Sequence, residues 1–390
     1  MHVCLICSQI AAWGKIGGFG TATRALGIGL IRSGFDVTAV VPRRSRHGQG
    51  SRESLDGITV LGVSPFETMM SGRIFREVDA DIYHSQEPTI ATRWAQKTMP
   101  DRVHIVTCRD PRGWRDHILE LSYANSRRRL LFPISALYEA SPWTKESVRR
   151  ADAVLTPAPS ALDDRIRAIY GSSIRPRFVP YPVDIPATKP VKSSEPSVLF
   201  VGRFDPRKRL ELFLELARTF PGVSFTAVGM AHNETYDRRL RRLAKGIANV
   251  RLTGFVSRFG KPNVTDYYAT SWILANTSAR EGLPYSFVEA AAYGNAILSG
   301  VDPENFASRF GYRVTGDDYA EGLRWLLQDE RCKEKGQAAA EFVAGTWNEA
   351  NCISRHLELY AELTGQPGPQ STGPTPSRTD GRGGSLMAPR

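Results

Sequence analysis

Short apolar runs alternate with amphipathic, helix-like segments along the first 180 residues. The apolar runs are Val3–Ile10, Asp36–Val41, Gly57–Val63, Ile82–His84, Val103–Cys108 and Ala151–Pro157. A helix is indicated between the first two runs, at Thr21–Ser33, and Gly34 ends it. Strands that are largely apolar and alternate with helices are typical of a parallel sheet covered on both faces. Residues 1–180 are therefore predicted to form one α/β domain.

The same alternation restarts after a break that is rich in proline. Residues 180–197 contain five prolines and few large apolar side chains, which is a linker composition. Beyond the break, the predicted strands are Val198–Gly202, Ser224–Gly229, Asn249–Thr253, Ser271–Asn276 and Ala296–Ser299. The predicted helices are Pro206–Phe220, Ser286–Tyr293, Tyr319–Gln328 and Glu334–Ala344. We therefore expect a linker at 181–197, a second α/β domain at 198–346 and a cleft between the domains.

The last part of the chain divides into a helix and a polar tail. Trp347–Leu363 has the pattern of one more amphipathic helix. Residues 364–390 are rich in Gly, Pro, Ser and Thr and lack the apolar side chains that would offset the entropy of ordering. We expect this tail to be disordered.

Size and charge limit the class of function. A chain of 390 residues with 41% hydrophobic and 23% charged residues has a normal globular composition and is long enough for two cores. The net charge of +11 and the pI near 9.5 imply an acidic partner, namely a phosphorylated small molecule, an anionic lipid or nucleic acid. Nucleic acid is disfavoured because the sequence shows no helix-turn-helix, aromatic sheet platform or zinc module.

The first residues and the cysteines favour a cytoplasmic protein without a metal site. Met1–Cys7 runs straight into an apolar strand without the basic segment of a signal peptide, and no apolar stretch approaches the roughly 18 residues of a membrane span. Cys4 and Cys7 form a single CxxC, but residues three apart on a strand face opposite sides of the sheet. We expect ordinary buried thiols.

A glycine-rich turn follows the first predicted strand. Gly17 and Gly18 precede the first helix, where a ligand can approach the backbone and the helix N-terminus favours an anion. The dinucleotide fingerprint is not met, because Thr23 stands where its third glycine belongs. The second strand also ends in Arg43–Arg44 rather than in an acidic ribose ligand. A tight structural turn without a ligand remains the alternative.

Cations cluster after the first strand of the second domain. Asp205 is predicted to cap the following helix, so that residues 207–209, an Arg-Lys-Arg string, lie in its first turn. Cations are unfavourable at this positive end of the helix dipole unless an anion binds there. The planar guanidinium of Arg203 can donate two parallel hydrogen bonds, and the ammonium group of Lys208 is a compact positive charge. Both groups are suited to bind a diphosphate. The alternative is a solvated basic helix start.

Two glutamates flank a Gly-Leu-Pro turn. Glu281 is predicted on the loop at a strand end, and Glu289 in the first turn of the next helix. Ser286 and Glu289 have the spacing of a capping box, which explains Glu289 structurally without excluding a contact to a ribose. Glu281 has no comparable structural role.

Two strand ends of the first domain face the predicted cleft. His84 ends one predicted strand, and Arg109 and Asp110 follow the next. Because ligands of parallel sheets bind beyond the carboxyl ends of the strands, these residues are candidates for the site. A purely structural role remains the alternative for His84.

A basic insert separates two strands of the first domain. Residues 112–150 carry eight cations and four acids, interleaved with aromatic residues such as Trp114 and Trp143. A segment of this composition can lie on an anionic membrane surface. The alternative is a helical pair with a solvated basic face.

Three blocks, in this order, resemble glycosyltransferase family 4, and the likeness extends over roughly residues 1–363. They are Gly17–Gly20, the Val-Gly-Arg-(x)4-Lys string at 201–208 and the Glu-Gly-Leu-Pro-(x)4-Glu string at 281–289. The resemblance implies the GT-B fold, with two Rossmann-like doubly wound parallel-sheet domains and the donor in the interdomain cleft. It also implies retaining transfer of a sugar from a nucleotide-diphosphate sugar to a glycan, lipid or small-molecule hydroxyl, without a metal or other cofactor, in polysaccharide or glycolipid biosynthesis.

The resemblance also implies roles for individual residues. Arg203 and Lys208 would bind and neutralise the donor diphosphate, Glu289 would hold the ribose, and Glu281 would contact the transferred sugar. The other implied donor-binding residues are Gly17, Gly18, Phe255, Val256, Gly282, Leu283, Pro284 and Tyr285, and the acceptor side would include His84 and Asp110. The terminal helix would pack back on the first domain. Independently of the resemblance, the basic insert leads us to expect a cytoplasmic protein that contacts the inner membrane face peripherally.

Two departures from the family pattern bear on the chemistry. Arg109, in the string Thr107–Asp110, stands where the family usually has a histidine, and we treat Arg109 as a candidate catalytic residue that contacts the sugar or the phosphate. The linker string at 179–184 also differs from the usual Pro-Asn-Gly-Val-Asp. A non-catalytic sugar-nucleotide-binding protein, favoured by Arg109, and an epimerase on the same fold are the alternatives.

Overall fold

The structure of the chain is a computed structural model. It describes residues 1–11, 13, 17–43, 49–64, 72–123, 139, 141–231, 233–256, 258 and 261–366. The predicted disordered tail therefore lies almost entirely outside the described residues, as do residues 124–138 and 140 of the basic insert.

The first domain is an eight-stranded sheet with the strand order β3-β4-β2-β1-β5-β6-β7-β8. Its strands are β1 (His2–Ile6), β2 (Asp36–Pro42), β3 (Arg52–Leu55), β4 (Ile58–Val63), β5 (Ile82–Ser85), β6 (Val103–Thr107), β7 (Ala153–Thr156) and β8 (Arg177–Phe178). All neighbours are parallel except β3 and β4. Its described helices are α1 (Gly18–Arg32), α2 (Arg73–Val78), α3 (Ile90–Thr98), α4 (Trp114–Ser122), α5 (Pro142–Arg149) and α6 (Pro159–Tyr170).

The second domain is a six-stranded parallel sheet with the strand order β11-β10-β9-β12-β13-β14. Its strands are β9 (Ser197–Val201), β10 (Ser224–Val228), β11 (Val250–Gly254), β12 (Ile273–Asn276), β13 (Ala296–Ser299) and β14 (Gly311–Arg313). Its described helices are α7 (Leu210–Thr219), α8 (Glu234–Ala244), α9 (Val264–Thr270), α10 (Tyr285–Ala292), α11 (Phe306–Phe310), α12 (Tyr319–Leu327) and α13 (Arg331–Thr346). The predicted fold class, two Rossmann-like α/β domains, is confirmed.

In each sheet the strand order reverses beside the strand that comes first along the chain, β1 or β9. A ligand site is expected at this reversal. β1 lies between β2 and β5, and β9 lies between β10 and β12. At such a switch point the loops beyond the carboxyl ends of the strands diverge and leave a crevice. The loops that follow β1 and β9 are those that carry Gly17–Gly18 and the basic string.

Several elements differ from the sequence prediction for local reasons. β1 ends at Ile6 rather than at Ile10. The helix predicted at Pro206–Phe220 is a 3-10 turn at Pro206–Lys208 followed by α7, because Arg209 has a positive φ of 48° that interrupts the helix. β3 escaped prediction because its Arg-Glu-Ser-Leu sequence is largely exposed and lacks an apolar signal. The short strands β8 and β14 give no periodicity.

The last helix, α14 (Glu349–Thr364), crosses from the second domain to the first. Ile353, Leu359 and Tyr360 are buried in the same core as the apolar residues of β1, β2 and α1. A Cβ on Gly29 of α1 would lie 2.4 Å from Ile353, so the glycine permits the close approach of the two helices. α14 thus supplies one wall of the core of the first domain.

The cysteines are buried thiols, as predicted. All five lie in the described residues, and each is buried and unpaired. Burial raises the pKa of the Cys7 thiol to about 12, which keeps it protonated and unreactive at neutral pH.

None of the described helices is long and apolar enough to cross a membrane.

Two buried histidines lie where α14 meets the first sheet. His84 of β5 forms hydrogen bonds with Tyr360 Oη (2.8 Å) and Thr107 Oγ1 (2.7 Å). His356 of α14 bonds through Nδ1 to the carbonyl oxygen of Cys352 (2.7 Å), and the two imidazole centroids are 5.8 Å apart. Burial lowers the pKa of His356 to about 4 and that of His84 well below its usual value. The charge of Arg109 lowers both pKa values further, and His356 also lowers that of His84.

These histidines predict a loss of stability in acid. In the unfolded chain a histidine binds a proton near pH 6.5, whereas His356 in the folded protein does so only near pH 4. The unfolded state therefore binds more protons between these values, and the free energy of unfolding falls as the pH decreases through this window. The shift of His356 alone corresponds to roughly 3 kcal/mol. Urea denaturation at a series of pH values measures the slope.

The variant His356→Gln isolates the contribution of one ring. Because it removes one proton-binding group from the unfolded state, its stability should depend less steeply on pH between 6.5 and 4 than that of the unmodified protein. Parallel pH profiles for the two proteins would contradict the assignment.

Candidate functional site at the interdomain cleft

Lys208 and Glu281 meet at the carboxyl edge of the second sheet. Lys208 lies in the 3-10 turn after β9 and Glu281 on the loop after β12, and Lys208 Nζ forms an ion pair with Glu281 Oε1. The two loops are also joined by the main chain, because the amide of Ala279 donates to the carbonyl of Arg207 at 3.0 Å. Burial alone would raise the pKa of the Glu281 carboxyl, but the Lys208 and Arg207 cations outweigh it and hold that pKa below its usual range.

Arg203 and Asp205 pair with each other on the same loop. Arg203 Nη2 lies 3.3 Å from Asp205 Oδ2. Asp205 is the N-cap of the 3-10 turn at Pro206–Lys208, but its side chain makes no capping hydrogen bond, and the α-helix begins only at Leu210. The cations Arg207 and Lys208 therefore lie before the helix rather than in its first turn, and the predicted role of the helix dipole was wrong for them.

Glu289 is held by two side chains rather than by a cap. α10 begins at Tyr285 with Pro284 as its N-cap, so Ser286 lies inside the helix and the predicted capping box was wrong. Tyr268 Oη donates to Glu289 Oε2 at 3.1 Å, and Arg258 Nη2 forms an ion pair with Glu289 Oε1. Glu289 is 8% exposed, so these contacts are sheltered from solvent.

Glycines bring the two domains into contact around the site. A Cβ on Gly18, at the start of α1, would lie 2.7 Å from the Cβ of Tyr285 in α10. A Cβ on Gly282 would lie 2.4 Å from the carbonyl oxygen of Arg109. Since real Cβ atoms do not approach so closely, both positions need glycine for the loops of opposite domains to touch.

The remaining predicted donor residues line the same edge of the second domain. Leu283 and Tyr285 are buried, and Tyr285 stacks on Tyr181 of the linker with ring centroids 5.1 Å apart. Phe255 follows β11 and is 49% exposed, and Val256 beside it is half-buried against the interdomain core. Because they follow β11 and β12 of one parallel sheet, these positions lie at the same carboxyl edge as the loops of Lys208 and Glu281.

Arg109 braces the beginning of α1. It is 4% exposed and donates to the carbonyl of Phe19 (2.9 Å), to Thr23 Oγ1 (3.3 Å) and to Gln86 Oε1. Burial lowers its pKa from the usual arginine value. The guanidinium is thus committed to the helix that follows the glycine-rich turn, and its predicted contact with sugar or phosphate stays a prediction.

The two residues predicted on the acceptor side are engaged elsewhere. His84 is buried among Thr107, Tyr360 and His356, away from the cleft surface. Asp110 pairs with Arg280 of the second domain, with Oδ1 2.8 Å from Nη2. Their roles toward an acceptor stay predictions, and the structural alternative for His84 accounts for its contacts.

A buried network of ion pairs, which the sequence analysis did not find, joins the domains beside the site. Arg280 is 5% exposed and contacts Asp110 (2.8 Å), Asp116 (2.7 Å) and Glu120 (3.8 Å) of the first domain. Arg207 reaches Glu120 at 3.3 Å. Arg280 directly precedes Glu281, but its partner Asp116 is 164 residues away in sequence. A pattern of neighbouring residues does not predict an ion pair over this separation.

Among the described residues, no group of three or more His, Cys, Asp or Glu side chains is arranged to hold a metal ion. The cations that contact the two glutamates are Lys208, on the loop after β9, and Arg258, on the loop after β11. Such fixed cations in a partly buried cleft favour an anionic ligand.

The network predicts that Arg280→Gln destabilises the fold. The substitution removes the cation that pairs with Asp110, while Asp116 keeps Arg165 and Glu120 keeps Arg112 and Arg207. Breaking a buried ion pair on one side costs about 3 kcal/mol or more. Chemical denaturation measures the loss. Arg238→Gln is the control, because Arg238 pairs with Glu234 on the surface of α8, where the expected change is under about 1 kcal/mol. Equal losses for the two variants would show that the network adds nothing.

Part of the chain matches a known protein family. Residues 195–329, about a third of the chain, match the family described as Glycosyl transferases group 1. A search of the curated proteins found no significant match over the sequence. The matched segment is the second domain from β9 to the end of α12.

Solved structures match both domains. Sucrose-phosphate synthase from Thermosynechococcus elongatus superposes with a TM-score of 0.74 at 16% identity, covering 94% of this chain and 100% of that one. Anabaena HepE in complex with UDP-glucose gives 0.67 at 14% identity, with 93% and 100% covered. The catalytic domain of Arabidopsis thaliana starch synthase IV, bound to ADP and acarbose, gives 0.63 at 14%, with 94% and 99% covered. The chain therefore has the two-domain GT-B fold, and its second domain carries the sequence pattern of the group 1 glycosyltransferases.

Proposed function

We propose that this protein is a retaining, metal-independent glycosyltransferase that moves a sugar from a nucleotide-diphosphate sugar to an acceptor hydroxyl. The observation that carries the proposal is the ion pair of Lys208 with Glu281 in a domain that matches the group 1 glycosyltransferases. Arg203 lies on the loop of Lys208, and the loop of Glu281 leads into the helix that carries Glu289. Cations for a diphosphate and carboxylates for hydroxyl groups are what a sugar nucleotide requires.

The donor binds mainly to the second domain. Arg203 and Lys208 hold the diphosphate, Glu289 accepts hydrogen bonds from the ribose hydroxyls, and Glu281 accepts them from the transferred sugar. The residues that complete the donor site are Phe255 and Val256 at the base, the segment Gly282, Leu283, Pro284 and Tyr285 near the phosphate and sugar, and Gly17 and Gly18 from the first domain. UDP and ADP are the first donors to test, because Anabaena HepE and starch synthase IV were solved with UDP-glucose and ADP.

The transfer proceeds on one face of the sugar. The acceptor hydroxyl forms a bond to the anomeric carbon on the side from which the diphosphate departs, and its proton passes to the leaving phosphate oxygen. Arg203 and Lys208 stabilise the negative charge that develops on that oxygen, which is the task of a metal ion in other transferases. The ion pair with Glu281 fixes the position of Lys208 Nζ in the site.

The acceptor is a glycan, a lipid-linked molecule or a small molecule that enters from the first domain. Helix α4 of the basic insert supports contact with an anionic membrane, because Trp114, Ile118 and Leu121 form an apolar stripe that is 63%, 66% and 37% exposed. These residues recur at helical spacing, and the opposite face of α4 carries Asp116 and Glu120 toward the second domain.

A ligand-induced thermal shift tests the donor assignment. UDP-, GDP- and ADP-sugars are added to the purified protein, and one of them should raise the melting temperature, because a ligand at 100 times its Kd adds about 2.7 kcal/mol to stability. The shift should disappear in Glu289→Gln, which is compared with its own ligand-free melting temperature. No shift for any donor would overturn the proposal.

Product analysis with the donor that binds separates the alternatives. Transfer to an acceptor, or slow hydrolysis of the donor, supports a transferase. Binding without turnover favours a non-catalytic sugar-nucleotide-binding protein, which Arg109 in place of the family histidine also favours. Conversion of the sugar while still attached to the nucleotide indicates an epimerase.

Lys208→Ala tests the stabilisation of the leaving group. The loss of one or two charge-assisted contacts to the departing diphosphate should lower kcat by about 10²–10³-fold. Steady-state kinetics measures the change, and Lys245→Ala, an exposed lysine at the end of α8, should leave turnover unaltered. Unchanged turnover in Lys208→Ala would remove this residue from the mechanism.

A further inference from the structure

The carboxylate assigned to the ribose is occupied by an arginine of the chain itself. Arg258, on the loop that follows β11, forms an ion pair with Glu289 Oε1, while Tyr268 Oη donates to Oε2 at 3.1 Å. Tyr268 thus holds one oxygen of Glu289 by a hydrogen bond, and the guanidinium of Arg258 lies against the other as its counter-charge. The Arg258 and Glu289 side chains are only 16% and 10% exposed, so the pair is sheltered from solvent.

Arg258 has a second carboxylate within reach. Its Nη1 lies 3.2 Å from Oδ2 of Asp184, a linker residue whose side chain is 74% exposed. The guanidinium also lies 5.8 Å from the centroid of the Tyr285 ring, close to the point where Gly18 of the first domain touches that residue. Arg258 therefore connects the sheltered Glu289 to an exposed acid on the linker between the domains.

A ribose diol and the guanidinium compete for the same acceptor. Neutral hydroxyl groups form weaker hydrogen bonds to a carboxylate than a guanidinium does, so the diol does not displace Arg258 by its own contacts alone. The base and the diphosphate add binding energy elsewhere, and Asp184 gives the displaced guanidinium another partner. The exchange therefore costs less than leaving Arg258 unpaired in the cleft.

We propose, resting on the donor site described above, that Arg258 is a displaceable occupant of the ribose subsite. Entry of the nucleotide moves the guanidinium from Glu289 toward Asp184, so that Arg258 lowers donor affinity and links donor binding to the linker. Arg258 acts here as a positioning residue, because it controls the access of the donor to Glu289.

The direction in which Arg258→Gln changes nucleotide affinity distinguishes a displaceable Arg258 from an arginine that acts only through its charge. Removal of a cation near a diphosphate site weakens anion binding if charge alone matters. Removal of a competing occupant strengthens the binding of any ligand that carries the ribose. The two mechanisms therefore predict opposite changes for Arg258→Gln.

Isothermal titration calorimetry of the full chain with UDP, GDP and ADP measures the effect. For the nucleotide that binds the unmodified protein, Arg258→Gln should lower Kd by about tenfold, the gain expected when a competent fraction of roughly one tenth rises to one. Pyrophosphate, which lacks the ribose, should bind no more tightly to the variant. Arg242→Gln, an exposed arginine of α8, is the charge-matched control and should leave Kd unchanged.

The variant Asp184→Asn tests the movement of Arg258 from Glu289 to Asp184 by removing the second carboxylate. Asp184 is exposed, so the variant is expected to fold, and the loss of the second carboxylate should hold Arg258 on Glu289 and raise Kd. In the double variant Arg258→Gln/Asp184→Asn this weakening should vanish, because the effect of Asp184 passes through Arg258. A structural role of Asp184 in the linker would persist in the double variant.

The outcomes distinguish the two proposals. If none of the three nucleotides binds the unmodified protein, the proposed function fails. If one binds, but Arg258→Gln binds it equally or more weakly, or tightens pyrophosphate as much as the nucleotide, the displacement of Arg258 is refuted while the donor site stands. If Arg258→Gln does not fold, an unchanged or lower Kd in Asp184→Asn refutes it.

Discussion

The arrangement of the two domains depends on the burial of Arg280. A guanidinium almost wholly removed from water is costly unless carboxylates surround it, and here the carboxylates belong to the other domain. The charge is therefore compensated only when the domains are together. Because Arg280 is followed directly by Glu281, and Arg207 of the neighbouring loop shares Glu120, the same contacts fix the two loops that carry the candidate chemistry. The same ion pairs therefore determine how the two domains are placed and how the two loops of the candidate site are placed.

Steric constraints act at the same place as the charges. Gly18 and Gly282 belong to different domains, and each faces atoms of the opposite domain that leave no room for a side chain. Between them, Tyr285 stacks on Tyr181 of the linker and donates to the carbonyl of Pro182 at 2.9 Å. The two domains are thus in direct contact at Gly18 with Tyr285 and at Gly282 with Arg109, next to the loops that carry the cations and carboxylates.

Sequence reasoning succeeded where the physical signal was local. Buried parallel strands are continuous apolar runs, so β2, β6 and β13 were predicted within about one residue, and the strand-end motifs then fell at one edge because parallel topology requires it. It failed where conformation or partners are set by distant residues. The positive φ of Arg209 broke a helix whose pattern was continuous. Arg258, which holds Glu289, had no motif, because its role exists only when two loops fold against each other.

Because α14 packs into the first domain, the core of the first domain becomes complete only after the second domain has been synthesised. The core around β9, β10 and α7 is built from residues between 198 and 332 alone, whereas the core around β1 and α1 includes Ile353, Leu359 and Tyr360. During synthesis, residues 1–180 leave the ribosome first but lack one wall of their core until the end of the chain follows. The domain that is translated second can therefore close first. The amino-terminal domain meanwhile keeps an apolar face open, which makes it the part of the nascent chain that most needs protection from aggregation.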